Sequence, residues 1–288
     1  MSDDFRDRHP WLRRAPLPVV LLTVLLVAVG CGSDAAPGSG TAAATPDPET
    51  GATLFLRLDD ADRAAGALAF ADVAGGATAS LVTARGGGIA IMAGPEGRGQ
   101  AVRFPAVCDA TTDGCPRAML TVPHELALDP GDGDFAYGAT VLLAADETAK
   151  GANIVQKGRF GSDGGQWKLQ VDTLDGQPSC VVRGELGGQP TLVRVRSPHR
   201  IADGVWHQLV CVKDADGLTI RVDGDDTEVR QPAGQVSTPR PITFGSSGTG
   251  PHDDQFHGVL DDLFLRIGGA PQSPGGTLHH HRTGHRLG

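Results

Sequence analysis

The sequence has few aromatic residues and fewer basic than acidic side chains. Aromatic residues make up 5% of the 288 residues, and the chain has a single tyrosine. Its 25 Lys and Arg residues stand against 34 Asp and Glu residues, which gives a formal net charge of -9. An acidic surface disfavours nucleic acid and electrostatic docking on anionic lipid. We therefore expect no nucleic-acid partner, while the acidic composition leaves room for calcium sites.

Long segments with helical periodicity are also lacking. The chain has 41 Gly and 20 Pro residues, and many short apolar segments are bounded by turn-forming residues. Because no β-α-β alternation connects these segments, we expect an all-β fold of two stacked antiparallel sheets. Strands are predicted at Thr53–Leu58, Gln100–Phe104, Ala118–Val122, Asp134–Leu143, Asn153–Lys157, Gln166–Asp172, Ser179–Arg183, Thr191–Arg196, Trp206–Lys213, Leu218–Val222, Thr227–Val229 and Phe256–Ile267.

The most regular stretch of this pattern follows Asp203. Three of the predicted strands, Trp206–Lys213, Leu218–Val222 and Thr227–Val229, are separated there by turns that contain Asp-Gly. Asp-Gly provides the positive φ angles that tight hairpins require. The pattern predicts a meander of three antiparallel strands.

The first thirty residues have the composition of an export signal. Arg13 and Arg14 precede an apolar stretch from Leu17 to Val29, which is too short for a confident membrane span of about 20 residues. Basic residues followed by a short apolar core are typical of a signal peptide. We predict a signal peptide over residues 1–30 and an exported protein that lies outside the cytoplasm.

The apolar stretch ends in the tetrapeptide Ala28-Val29-Gly30-Cys31. This tetrapeptide resembles the bacterial lipobox, although Ala28 stands where the lipobox usually has Leu. The resemblance implies a lipoprotein signal peptide, a diacylglycerol on Cys31 and a membrane anchor through the acyl chains. An ordinary signal peptide with a stray cysteine, or an uncleaved anchor, remains an alternative. Residues 32–50 contain no large apolar residue and are predicted to form a flexible tether.

Four segments of the folded region resemble laminin-G-like domains of the concanavalin A-like lectin/glucanase type. DGVWHQLVCVKDADGLTIRVDGDD, residues 203–226, is similar to the Trp-His strand and Asp-Gly hairpin of that family. NIVQKGRFGSDGGQWKLQV, residues 153–171, resembles the preceding hairpin, and FHGVLDDLFL and LFLRLDD resemble the closing and opening strands. The resemblance implies a jelly-roll sandwich of two antiparallel sheets over residues 51–267. In the family pattern the Trp packs in the core and the His supports a loop, so we interpret Trp206 and His207 as structural residues.

The cysteines form an even set once Cys31 is set apart. An even number of cysteines in an exported chain predicts two disulfides. Cys180 and Cys211 lie in separate predicted strands and would staple neighbouring strands, whereas Cys108 and Cys115 bracket a short polar loop. Metal ligation by thiolates is the alternative, but the paired Cys-x-x-Cys spacing is lacking.

Acidic pairs near the two ends of the folded region suggest a calcium site by the same resemblance. Laminin-G-like domains often hold calcium with rim aspartates and backbone carbonyls. Asp59 or Asp60 on the opening strand and Asp261 or Asp262 on the closing strand are the candidate ligands, because calcium prefers oxygen donors. The alternative is that these side chains are strand-edge acids that face water.

The sequence lacks the motifs that would assign a catalytic residue. Concanavalin-like glucanases carry Glu-x-Asp-x-Glu on one strand, and the nearest spacing here, Glu125 to Asp129, has no acid between them. Gly-x-Ser-x-Gly, His-Glu-x-x-His and a phosphate-binding loop are also lacking. We therefore expect a binding module rather than an enzyme.

The function expected from these features is that of a surface lipoprotein whose laminin-G-like module binds a glycan or an extracellular protein through rim loops. Arg159, Trp167 and Lys168 near a glycine-rich turn could form a rim site, although Trp167 also fits a packed strand residue. The low aromatic content disfavours a sugar-stacking surface. A carbohydrate-active hydrolase or lyase and a structural envelope protein without a ligand are the alternatives.

The last segment, residues 268–288, is rich in Gly and Pro and carries four histidines, at positions 279–281 and 285. Such a composition predicts a disordered tail. The histidines could capture a transition metal, but a soluble tail is the simpler interpretation.

Overall fold

The computed structural model describes residues 48–62, 68–108, 114–161 and 164–268. In these residues the helices are 3₁₀ segments of three residues at Pro95–Gly97, Leu126–Leu128 and Ala145–Glu147. Among the described residues, no helix has the length and apolar composition needed to cross a membrane. The strands are β1 (Leu54–Leu56), β2 (Ala61–Asp62), β3 (Ala69–Ala71), β4 (Thr78–Ala84), β5 (Ala90–Ala93), β6 (Gln100–Arg103), β7 (Arg117–Val122), β8 (Phe135–Leu142), β9 (Ala152–Gly158), β10 (Gln166–Val171), β11 (Pro178–Leu186), β12 (Gln189–Arg196), β13 (Trp206–Lys213), β14 (Leu218–Val222), β15 (Asp225–Val229), β16 (Ile242–Phe244) and β17 (Val259–Ile267).

The strands form two antiparallel sheets. An eight-stranded sheet has the order β15-β14-β13-β8-β17-β6-β5, with β1 also paired to β17. A nine-stranded sheet has the order β12-β11-β10-β9-β16-β7-β4-β3-β2. The strand pairs within the described residues are all antiparallel. The predicted all-β sandwich of two antiparallel sheets is confirmed.

The core lies between the two sheets and follows from alternation along the strands. In β10, Trp167 and Leu169 are buried in this core, so Lys168 between them lies on the opposite face of the sheet. The Trp167 ring centroid is 4.6 Å from that of Tyr137 on β8, in the other sheet. Burial of each large apolar side chain contributes roughly 1.5–3 kcal/mol, so these contacts hold the two layers together.

The predicted meander is confirmed in β13, β14 and β15, which pair in sequence. Asp223 and Gly224 connect the last two strands with φ angles of 52° and 96°. Both angles lie in the left-handed region that Asp and Gly tolerate best, which explains the Asp-Gly sequence of this turn.

Five strands were missed by the sequence pattern: β2, β3, β4, β5 and β16. β3 and β5 have the sequences Ala-Phe-Ala and Ala-Ile-Met-Ala, whose small residues carry a weak strand signal. β16 has three residues and fills the position between β9 and β7. These strands form because neighbouring strands offer backbone partners, which local sequence does not reveal.

Two disulfides join the four cysteines of the folded region. Cys180 on β11 and Cys211 on β13 have a Cα–Cα distance of 5.8 Å, and their strands belong to different sheets. This bond therefore crosses the core and links the two layers, instead of joining neighbours within one sheet. Cys108 and Cys115 form the second disulfide, with a Cα–Cα distance of 5.7 Å.

Candidate ligand-binding face

The outer side of β9–β12 carries a layer of polar side chains, which we call the polar face. It alternates with the core positions on each strand and comprises Gln156, Gln166, Lys168, Gln170, Asp172, Ser179, Val181, Arg183, Leu192, Arg194 and Arg196. Strand register sets its rows, because residues opposite each other point to the same side. Arg194 is opposite Val181, Val181 is opposite Lys168, and Lys168 is opposite Gln156.

Asp172 organises one end of the polar face. Its Oδ2 accepts a hydrogen bond of 2.8 Å from Arg196 Nε and a second, shorter contact from the same guanidinium group. Its Oδ1 accepts a 2.9 Å hydrogen bond from Gln170 Nε2. Arg194 Nη1 is 3.7 Å from the same Oδ2, so one carboxylate serves two guanidinium groups.

The 245–255 loop closes over part of the polar face. Lys168 Nζ is 2.9 Å from Asp254 Oδ2, and the Asn153 backbone N–H donates to the Asp254 carbonyl oxygen at 3.0 Å. Arg159 Nη2 donates to the Ser247 carbonyl oxygen at 2.6 Å. These contacts explain why Lys168 is buried although it lies outside the core.

Two buried polar side chains near this loop have no hydrogen-bond partner within the described structure. Both amide atoms of Asn153 and the Oγ1 atom of Thr243 are unpaired. Asn153 is opposite Gln170, and Thr243 is opposite Gln156, so both belong to the polar side of the sheet. A buried polar atom without a partner costs about 1–3 kcal/mol, which favours a water molecule or ligand group at this place.

A cavity of about 320 Å³ opens at the other end of the polar face. It is lined by backbone and polar side chains: Gly164, Gly165, Arg183, Gly184, Glu185, Pro190, Gln235 and Ser237. Close backbone packing requires its glycines, since a Cβ at Gly164 would lie 1.8 Å from the Ser237 carbonyl oxygen. Glu185 and Gln235 exchange backbone hydrogen bonds of 2.9 and 2.8 Å, which fix this wall.

Phe160, which is 76% exposed, contacts the cavity residue Arg183. The Arg183 guanidinium carbon lies 5.4 Å from the centroid of its ring, within the range of a cation–π contact. Leu192, which is also exposed, is opposite Arg183 on the next strand. Phe160 is the one aromatic ring among the large exposed apolar side chains of the described residues, and an exposed ring offers an apolar surface for a ligand.

The proposed rim site of Arg159, Trp167 and Lys168 is only partly assembled. Trp167 is fully buried in the core, as its alternative interpretation required, whereas Arg159 and Lys168 are bound to the 245–255 loop. Sequence reasoning missed Phe160 as the exposed ring of this region. The only signal in the sequence for an exposed Phe160 was its position between the polar Arg159 and a glycine.

Trp206 and His207 lie away from the polar face. Trp206 is partly exposed at the start of β13 and does not belong to the core, so its predicted core position is wrong. His207 bridges two acids, with Nδ1 at 2.6 Å from Asp223 and Nε2 at 3.0 Å from Asp203. Burial acts to lower the pKa of His207, but these hydrogen bonds and charges outweigh it, and the pKa is raised.

The four aspartates predicted to bind calcium are not all drawn together. Asp59 Oδ1 accepts a 2.7 Å hydrogen bond from the Gln100 N–H, and Asp60 is exposed. Asp261 is buried, and its Oδ1 accepts a 2.9 Å hydrogen bond from the Asp262 N–H. Burial, followed by the charges of Asp262 and Asp59, raises the pKa of Asp261 to about 7.

No group of three or more acidic, His or Cys side chains that could hold a metal occurs in the described part of the chain. Calcium binding by Asp59, Asp60, Asp261 and Asp262 stays a prediction. Asp129, the acid of the nearest catalytic-like spacing, is 3.1 Å from the Nζ atom of buried Lys157. Cys31 and the four histidines of the tail lie outside the described residues.

A family model described as the concanavalin A-like lectin/glucanases superfamily matches residues 118–265. These residues run from β7 into β17 and make up just over half of the chain. No protein among the curated sequences matches the chain.

Several solved structures have a similar fold. Domain 4 of AbnA, a GH43 extracellular arabinanase from Geobacillus stearothermophilus, in complex with arabinotriose, aligns with a TM-score of 0.54 and 16% identity. That alignment covers 75% of this chain and 92% of the arabinanase domain. The binding domain of Paraclostridial Mosquitocidal Protein 1 has a TM-score of 0.53 and 13% identity, over 78% of this chain and 50% of that one.

The binding domain of botulinum neurotoxin DC, in complex with rat synaptotagmin II, has a TM-score of 0.51 and 12% identity. This alignment covers 77% of the present chain and 49% of the neurotoxin domain. The chain thus spans about half the length of the two toxin domains. At such identities the likeness establishes a shared fold.

Proposed function

The chain belongs to the concanavalin A-like lectin/glucanases superfamily, and on this premise we propose that its β-sandwich binds a glycan on the polar face. A binding role is supported by similar structures, which include one in complex with arabinotriose and one in complex with rat synaptotagmin II. The choice of a glycan over a protein rests on the chemistry of the polar face.

The observation that carries this proposal is the contact of the exposed Phe160 ring with Arg183, which lines the polar cavity. An exposed ring stacks against the apolar face of a sugar, while the side chains of Arg183, Glu185 and Gln235 supply hydrogen-bond donors and acceptors. A few convergent polar groups beside an apolar surface are typical of small-ligand sites. A protein partner that binds through a large apolar patch would find little apolar contact area here, because the residues that line the cavity are polar.

Binding without catalysis fits the acids of this region. Glycoside hydrolysis uses two carboxyl groups roughly 5–9.5 Å apart across the scissile bond. Among the described residues that line the cavity, Glu185 is the one carboxylate. Asp172 is occupied by Arg196 and Gln170 at the far end of the polar face.

The proposed site of action is the outer surface of a membrane. In this proposal Cys31 carries the lipid, and residues 32–50 set the sandwich apart from the bilayer so that the polar face can reach polymeric glycans. Mass spectrometry of the mature N-terminus tests this part, since an unmodified Cys31 or an intact residue 1–30 segment contradicts it.

A glycan array with the full-length chain tests the binding function. We expect binding to a small set of polysaccharides, and competition by soluble oligosaccharides of the same type. If no glycan binds while a protein partner is captured with the polar face buried, the glycan proposal fails and the protein alternative replaces it.

A further inference from the structure

The charge of the polar face differs from that of the whole protein. The chain has a formal net charge of -9, whereas the polar face and the loop over it carry four cations, Lys168, Arg183, Arg194 and Arg196, against the two acids Asp172 and Asp254. Such a local excess of positive charge on an acidic protein attracts anions to one place.

Arg194 has the longest ion-pair contact among the cations of the polar face. Asp254 is paired with Lys168 at 2.9 Å, and Asp172 is held by Arg196 through both Nε and Nη2. Arg194 reaches the occupied Oδ2 of Asp172 only at 3.7 Å, and half of its side chain is exposed. At this distance the ion pair with Asp172 includes no hydrogen bond, so the half-exposed guanidinium group of Arg194 can turn toward a ligand without breaking one.

Arginine on an edge strand also has a simpler explanation, because charged side chains prevent edge-to-edge aggregation. β12 is an edge strand of the nine-stranded sheet. That role requires any charged side chain, however, and it does not explain why Arg194 lies in one row with Val181 and Lys168. The register places Arg194 on the polar face, two residues along the strand from Leu192 beside Arg183.

We propose that the ligand of the polar face is an acidic glycan, and that Arg194 binds one of its carboxylate groups in a bidentate pair. The inference rests on the proposed glycan-binding function and names the class of glycan. Phe160 and the cavity hold one sugar unit, and Arg194 holds the charged group of a unit further along the chain. Guanidinium and carboxylate groups match in plane and spacing, which an ammonium group does not reproduce.

The test compares acidic glycans with neutral forms of the same polymers. Polygalacturonate, alginate and hyaluronate are each measured beside their own methyl esters, with the full-length chain and isothermal titration calorimetry. We expect at least one polyuronate to bind tenfold or more tightly than its ester, and this preference to weaken as salt is raised. Equal affinity for acid and ester in all three pairs overturns the inference.

Three variants locate the preference. Arg194→Gln and Arg194→Lys are expected to remove the preference for the acid, because neither retains the fork of donors. Arg98→Gln is the control, since Arg98 is an exposed arginine paired with Glu96 on a distant loop and loses the same charge. Retention of the preference in Arg194→Gln, or an equal loss in Arg98→Gln, overturns the assignment.

Two further outcomes separate the inference from the proposed function. If dextran sulfate binds and no polyuronate is preferred over its ester, then the site responds to the charge density of the polymer. The assignment of Arg194 to a carboxylate group of the glycan is then wrong. If neutral glycans bind near Phe160 without any preference for acids, the glycan function stands and the acidic-ligand inference fails. If no charged or neutral glycan binds, the proposed function itself fails.

Discussion

Lys168 Nζ lies 2.9 Å from Asp254 Oδ2, and this contact ties the polar face to the 245–255 loop. The Asn153 N–H also donates to the Asp254 carbonyl oxygen, so backbone and side chain of one residue hold the loop on the sheet. Asp254 is partly exposed, and the loop is rich in glycine. This weak, solvent-accessible ion pair is one of several contacts that hold the loop, since Arg117 also donates to the Asp253 carbonyl oxygen and Arg159 to that of Ser247.

Asp254→Asn is expected to loosen this loop with little effect on global stability. An ion pair with an exposed partner is worth about 0–1 kcal/mol, while the backbone hydrogen bond persists in the variant. Hydrogen exchange measured by mass spectrometry should become faster in residues 245–255 and remain unchanged in β10. Asp226→Asn, which removes an acid paired with Arg221 on the other sheet, is the control, and equal exchange in both variants would contradict the expectation.

Phe160→Ala is expected to weaken glycan binding about tenfold, which corresponds to about 1.4 kcal/mol of binding free energy. The ring is 76% exposed, so its removal should leave the unfolding temperature unchanged. Calorimetric titration with the best ligand of the glycan array, together with thermal unfolding, checks both parts.

Val205→Ala is the matched control for Phe160, because Val205 is an exposed apolar residue ahead of β13 in the other sheet. It should bind the glycan as the unchanged protein does. A loss of affinity in Val205→Ala, or full affinity in Phe160→Ala, would show that the ring does not contact the ligand.

The fold was largely predictable because its central strands carry their own signals. The meander from Trp206 to Val229 combines alternation with Asp-Gly turns, and both features are local. β3 and β5 were missed because alanine-rich segments become strands only when a neighbouring strand is available. That information is tertiary and does not appear in the segment itself.

The candidate site was less predictable than the fold. Alternation along β12 puts Arg194 and Arg196 on the side opposite the core residues Val193 and Val195. It did not reveal that Asp172, 24 residues before Arg196, would be their shared partner. The two tryptophans show the same limit. Alternation along a strand does not reveal that Trp167 is fully buried in the core, whereas Trp206 lies at a strand end and is partly exposed.

The disulfide between Cys180 and Cys211 is expected to stabilise the fold more than the one between Cys108 and Cys115. The first closes a loop of 31 residues and the second a loop of 7, which corresponds to roughly 4 and roughly 2 kcal/mol in the chain-entropy model. Double Cys→Ala variants, compared by urea unfolding, check the order. Equal losses in the two variants would contradict it.

Asp261 should make stability fall as pH rises. Burial and the charge of Asp262 raise the pKa of this carboxyl to about 7, whereas an unfolded Asp titrates near about 3.9. Between these values the folded protein retains a proton that the unfolded chain has released, so the contribution of Asp261 to the free energy of unfolding decreases with pH. Above the folded pKa this decrease is complete.

Asp261→Asn removes the ionisable group and should remove this part of the pH dependence. The free energy of unfolding of the variant and of the unchanged protein is measured by urea unfolding near pH 5 and near pH 8. We expect the variant to be more stable, relative to the unchanged protein, near pH 8 than near pH 5.

Calcium bound at the predicted site would reverse this effect of pH on stability, because a cation stabilises the ionised carboxylate. Addition of calcium near pH 8 would then stabilise the unchanged protein and leave Asp261→Asn unaffected, while magnesium serves as the control ion. A stability difference that is equal at both pH values, with and without calcium, would contradict a raised pKa at Asp261.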